Sequence, residues 1–222
     1  MIFLEDPMYA LSAGTLLVLG VFGLYKIFSI LRHKSFLERR ELRVFKIEPA
    51  EVGMPLNIFI RALKPPFSFE VAVQHLGAER GYYLVVPKGR AKKLRELKGL
   101  KEIRDYHIFH SGGENLGAYF KDSDKWPQVS FDEIDFSKVN EIGEAAVVQF
   151  VFSKKRRGHA VANLRIAASA PSSFQAKEIL SALKTSFGEF SAVGSKSEEF
   201  MHLINSREFE PDEKMFWQPA TG

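Results

Sequence analysis

The sequence predicts an α+β fold: a single N-terminal transmembrane helix followed by two ferredoxin-like α/β sandwich lobes. Three observations predict it. A charge-free apolar run stands near the N-terminus. After it, stretches with an apolar period of two alternate with stretches of helical period. In the first half their order is β-α-β-β-α-β, the split βαβ arrangement, and the second half is of related design. The expected division is 1–34 for a short outside tail and the membrane helix, 35–111 for the first lobe and 112–222 for the second.

The apolar run from Pro7 to Tyr25 holds 19 residues without a charge, and Ile27–Leu31 continues it. About 20 apolar residues span a hydrocarbon core of roughly 30 Å, and the intervening Lys26 can snorkel to the interface. A buried core helix is the alternative reading. Glu5 and Asp6 stand where a cleaved signal peptide carries basic residues, and no A-x-A-like site follows. Lys26, Arg32, Lys34, Arg39 and Arg40 form the expected membrane-interface set, with Arg43 beyond them. Their position places the C-terminal side in the cytoplasm by the positive-inside rule. The expected location is therefore the cytoplasmic membrane, single-pass, with the bilayer as a partner. These cations also suit anionic headgroups.

The elements then follow in order. Leu42–Ile47 reads as a first strand and Met54–Leu63 as a short helix ended by Pro65 and Pro66. In Phe67–His75 the residues Phe67, Phe69, Val71 and Val73 share one face, and Ser68, Glu70 and Gln74 the other, which marks a half-buried strand. The turn "LGAERG" and the strand Gly81–Val86 complete a hairpin. Gly89–Leu97 reads as a basic helix and Glu102–Phe109 as a strand. In the second half "GAYFK" is a short strand and residues 126–143 an irregular connection. Glu144–Ser153 and Val161–Ala170 are strands. Ser172 and Gln175 form a capping box for a helix with Ala176, Ile179, Leu180, Leu183 and Phe187 on one side, stopped by Gly188.

With 45% hydrophobic residues the chain can bury a real core, and its formal charge is +4. The absence of cysteine excludes a disulfide scaffold, a Cys-ligated zinc site and a thiol nucleophile. "DYHIFHSGGENLGAYF" looks like a site, with His107 and His110 beside Asp105. On a strand a spacing of three puts the two histidines on opposite faces, and a metal needs more ligands. The stretch is expected to be a connector turning at Gly112–Gly113. Ser181 and Lys184 match S-x-x-K without its partner motifs. No acid/base pair, nucleophile constellation or metal cluster emerges, so neither enzyme activity nor a cofactor is expected. The basic clusters are more informative. Lys88–Arg104 carries eight basic and two acidic residues. Lys92, Lys93 and Arg95, with Lys154, Lys155, Arg156 and Arg157, are candidates for phosphate or partner contact; a solvated charged face is the plainer reading. Arg80–Val85 resembles the aromatic strand of an RNA-recognition fold, departing from it at Tyr83 and Leu84.

"RDYHIFHSGGENLGAYFK", "GEAAVVQFVF", "NLRIAASA" and "LKTSFGEF" occur in an order and spacing similar to the N-terminal region of bacterial membrane-anchored DNA-transfer ATPases of type IV secretion or conjugation type. The matching positions are Asp105 to Phe109, Gly143 to Gln149 and Leu164 to Ala170, within a span from Leu42 to Phe190. The resemblance implies a membrane helix, then an α+β region, then a motor domain. No G-x-x-x-x-G-K-[S/T] occurs in this chain, so no catalytic residue carries over. The expected role is a non-catalytic assembly module that organises such an ATPase at the cytoplasmic membrane face. Its partners would be that ATPase or secretion-complex subunits, with self-association also open. The second reading is a membrane-tethered nucleic-acid-binding protein that uses the basic surfaces.

Overall fold

Alternating apolar residues and turn-forming breaks yield nine strands that join one antiparallel sheet, in the computed structural model. It describes residues 41–109, 112–120, 130–142, 144–153, 160–188, 191–213 and 215–217. No helix among these is long and apolar enough to cross a membrane. The span expected at 7–31, with Lys26, Arg32, Lys34, Arg39 and Arg40, lies outside the described residues.

The first half runs β1 (Leu42–Ile47), α1 (Pro49–Val52), α2 (Leu56–Ala62), β2 (Phe67–Val73), β3 (Gly81–Pro87), α3 (Lys88–Leu94) and β4 (Leu100–Ile103). The second runs β5 (Glu114–Phe120), a 3-10 turn (Phe131–Glu133), α4 (Ser137–Ile142), β6 (Ala145–Phe152), β7 (Ala160–Ala170), α5 (Ser173–Thr185) and β8 (Ala192–Ser195). After these come α6 (Glu198–Ser206), a 3-10 turn (Pro211–Glu213) and β9 (Met215–Trp217). The strand order is β4-β1-β3-β2-β6-β7-β5-β8, with β9 paired to β7. Each half therefore arranges its own strands as fourth, first, third, second. The two halves meet through their second strands, where Glu70 stands opposite Gln149.

The helices before α6 cover one face of the sheet. Phe45, Phe69, Leu84, Phe150, Leu164 and Ile166 lie beneath them with Ala176, Ile179 and Leu183 of α5. Each such side chain contributes roughly 1.5–3 kcal/mol on burial. Phe131 seals the junction of the halves, its ring centroid 4.6 Å from Phe69 and 5.5 Å from Phe150. Arg80, in the β2–β3 hairpin, holds the same segment by donating to the carbonyls of Asp132 at 2.6 Å and Ile134 at 2.9 Å.

Several expectations need correction. β2 is buried on both faces, not one, because α6 and the chain after it cover the face without the other helices. β4 ends at Ile103, short of the expected Phe109, because Asp105 and Tyr106 turn to meet Arg207 and Glu70. α3 ends at Leu94, short of Leu97. The connection at 126–143 contains a 3-10 turn and α4, and α6, β8 and β9 had no counterpart in the sequence reading. The capping box is half formed: Ser172 Oγ accepts from the Gln175 amide, but the Gln175 side chain takes a bond from the Ser172 hydroxyl.

Candidate functional site

The registers align one row across the face opposite α5: Lys46, Tyr83, Glu70, Gln149, Arg165 and Tyr119. Along its strand each of these positions lies between two hydrophobic residues. Glu70, Gln149 and Arg165 at its centre are buried. Burying such groups is unfavourable unless each is bonded. The Glu70 carboxylate, the Gln149 amide nitrogen and the Arg165 guanidinium are bonded, while Gln149 Oε1 has no donor among the described residues.

Glu70 Oε1 accepts from Ser68 Oγ at 3.0 Å, Gln149 Nε2 at 3.1 Å and Arg207 Nε at 3.0 Å. Glu70 Oε2 accepts from the Tyr106 hydroxyl and from a second Arg207 nitrogen at 3.4 Å. Arg207 also grips both Asp105 oxygens at 2.7 Å, and its guanidinium lies 5.7 Å from the Tyr106 ring centroid. Burial works against the Arg207 charge, but attraction to Glu70 and the bonds to Glu70 and Asp105 overcome it and raise its pKa. Burial, reinforced by the Glu70 charge, holds the Tyr106 hydroxyl well above its ordinary range. Arg207 has φ 55 and ψ 38, the left-handed region, a conformation unfavourable for a side chain-bearing residue by about 1–2 kcal/mol. That conformation closes α6 and turns the side chain onto the sheet.

A second cluster holds the end of α6 and the residues after it. Arg165 Nε donates to Glu213 at 2.6 Å, and its Nη1 donates to the carbonyls of Glu208 at 2.7 Å and Leu203 at 3.2 Å. Gln149 Nε2 donates to the Ile204 carbonyl at 2.8 Å. The Leu203 and Ile204 carbonyls at the helix end also accept from the Arg207 and Glu208 amides, and the sheet adds side-chain donors to them. Asn163 accepts from the Glu210 amide at 2.7 Å and donates to its carbonyl at 2.8 Å. Burial raises the Glu213 carboxyl above its ordinary value, against the pull of Arg165. Phe200 of α6 fits where β5 has Gly117, whose missing Cβ would lie 2.3 Å from the Phe200 ring. Residues 198–213 are thus a strap bonded to both halves across their seam.

Of the residues expected to make phosphate or partner contact, Lys92, Lys93 and Arg95 lie on or next to α3 and are exposed. Arg95 is paired with Glu102. Lys92 and Lys93 form no ion pair with any described residue. Lys154, Lys155, Arg156 and Arg157 lie outside the described residues, as does His110. His107 is exposed, and among the described residues no three His, Asp or Glu side chains come together as metal ligands. Within the stretch first read as a connector, Asp105 and Tyr106 are members of the buried cluster. The polar positions of β2, β6 and β7 were the signal for the rest of it.

A cleft of about 650 Å³ opens beside the β2–β3 turn, lined by Arg80, Tyr82, Asp135, Ser137 and Asn140 among others. Its Asp135 carboxylate is held below its usual range by hydrogen bonds from Ser137. The Arg80 guanidinium is engaged with the neighbouring carbonyls. No family model matches the chain, and no curated protein does.

Proposed function

We propose that this chain is a membrane-anchored, non-catalytic assembly module that organises a DNA-transfer or secretion-type ATPase at the cytoplasmic face of the membrane. In this reading the two halves are ferredoxin-like units fused edge to edge into one platform. The observation that carries it is the strap. The buried ionised and polar groups of the sheet are used to fasten residues 198–213 across the seam of the halves. Such chemistry gives a rigid body that can hold two ends of a chain at fixed positions. The apolar run precedes β1 in the chain, and the strap leads into β9, which pairs with the start of β7 at the same end of the sheet as the start of β1.

A second reading, nucleic-acid binding, is favoured by the exposure of Lys92 and Lys93. The two separate on salt. Phosphate contacts weaken steeply and linearly with log salt, whereas a protein partner held through apolar surface does not. The test is co-flotation. Full-length chain reconstituted into vesicles should carry a purified motor ATPase of the DNA-transfer class into the floating fraction at 50 and 300 mM salt alike. An ATPase that stays at the bottom of the gradient, while labelled DNA floats at low salt only, would reverse the order of the two readings.

A further inference from the structure

The basic run Lys88–Arg104 begins and ends at the same end of the sheet. Pro87 pairs with Leu42 and Ile103 with Val44, so Lys88 and Arg104 both flank the start of β1. The Lys88 amide donates to the Glu41 carbonyl at 2.8 Å, fixing the first turn of α3 there. The acids flanking the two ends of the run are engaged, and the exposed Glu96 between them pairs with no described residue. Glu41 pairs with Lys88 at 2.6 Å and Arg43 at 3.4 Å, and Glu102 pairs with Arg95. Lys92, Lys93 and Arg104 are exposed and have no acidic partner among the described residues. A surface with more positive than negative charge therefore begins at the end of the sheet where the chain arrives from its N-terminus, with Lys92 and Lys93 about one turn into α3.

The distance to the apolar run is short. Ten residues, 32–41, separate Leu31 from Leu42. A fully extended chain of that length reaches at most about 36 Å. The opposite end of the sheet, at the β2–β3 turn, is farther by the length of a seven-residue strand, about 23 Å at 3.3 Å per residue.

We infer that the sheet stands on the membrane by the end at which β1 begins, with Lys92, Lys93 and Arg104 against anionic lipid headgroups. The inference rests on the anchored reading above and adds an orientation and a lipid class to it. Duplex DNA offers phosphate too, but only the bilayer is brought to this end by the chain itself.

The chain contains no cysteine, so single labels are clean. Gly89→Cys puts a dye in the first turn of α3, where a side chain meets nothing within 4 Å. Leu76→Cys puts one at the β2–β3 turn, where Leu76 is exposed. Each labelled full-length protein goes into nanodiscs of phosphatidylcholine, with or without phosphatidylglycerol, that carry an acceptor-labelled lipid. Energy transfer from position 89 should exceed that from position 76 in the anionic discs, and should fall in neutral discs or in 0.5 M salt. Lys92→Ala with Lys93→Ala should lower the ratio of docked to undocked body about fivefold per charge. Equal transfer from the two positions, indifference to lipid charge, or a response at position 89 to added duplex DNA and not to phosphatidylglycerol overturns the inference. A chain that fails to enter the discs removes the anchored reading and this inference with it. Entry with equal transfer removes this inference alone.

Discussion

Replacing Arg207 with Met keeps the aliphatic stem and removes the guanidinium from a site where Arg207 is 5% and Glu70 1% exposed. Removing one partner of a buried pair leaves a stranded charge, a loss of about 3–5 kcal/mol. Glu70 keeps its bonds from Ser68, Gln149 and Tyr106, and Asp105, at 48% exposed, returns to water. The loss should therefore fall at the low end, about 3 kcal/mol. Backbone strain is unchanged, because Met meets the same left-handed conformation that Arg does. The assay is urea unfolding of fragment 40–222 followed by circular dichroism. With a slope of about 2 kcal/mol per molar, the midpoint should drop by about 1.5 M. Adding Glu70→Gln removes the stranded charge and should recover more than half of the loss, a coupling of about 2 kcal/mol. A loss below about 1 kcal/mol, or a double variant no more stable than Arg207→Met, would refute the claim that this pair fastens the strap.

Gly117→Val should destabilise by about 1–3 kcal/mol through overpacking against Phe200, and amide exchange should quicken first in α6; uniform quickening would place the damage elsewhere. Tyr82, Tyr83 and Tyr106 are all raised above the ordinary tyrosine range, chiefly by burial. A raised folded value gives stability that is complete below the unfolded value of about 10 and is lost as pH climbs through the folded one. Absorbance at 295 nm should accordingly show Tyr106 ionising only as the protein unfolds, a step missing in Tyr106→Phe. His107→Ala and His110→Ala should leave the metal content of the purified protein at zero, and stoichiometric zinc lost in either variant would contradict this. A cysteine at Ser123 should resist an impermeant thiol reagent in intact cells, while ready labelling would invert the topology.

Period-two patterning was enough to place β1, β2, β3, β6 and β7 within a residue or two, and the buried side of α5 was legible residue by residue. Gln149 and Arg165 were assigned to no face, whereas the polar face of β2, with Ser68 and Glu70, was visible too, as the other side of a half-buried strand. Its burial was hidden because the cover is distant in sequence. Glu70 and Arg207 are 137 residues apart, and nothing local to either signals the other. α6 did carry signs: Ser197 caps it by accepting from the Phe200 amide at 3.1 Å, and Glu198 and Glu199 stand in its first turn. Such a short amphipathic stretch resembles any surface helix until its docking face is known. Asp105 and Tyr106 were hidden by position, since continuing β4 to Phe109 assigned them to a ladder they do not join. Arg207 could not be foreseen at a left-handed helix end, where glycine or asparagine is usual.

The assembly role stands or falls on where the ATPase resides. In cells expressing the full chain with a DNA-transfer ATPase, the fraction of that ATPase in washed membranes should be high. Deleting residues 1–34 should shift it to the soluble fraction while leaving the two proteins bound to each other. A membrane fraction unchanged by the deletion, or an ATPase that is soluble in both cases, would contradict the account.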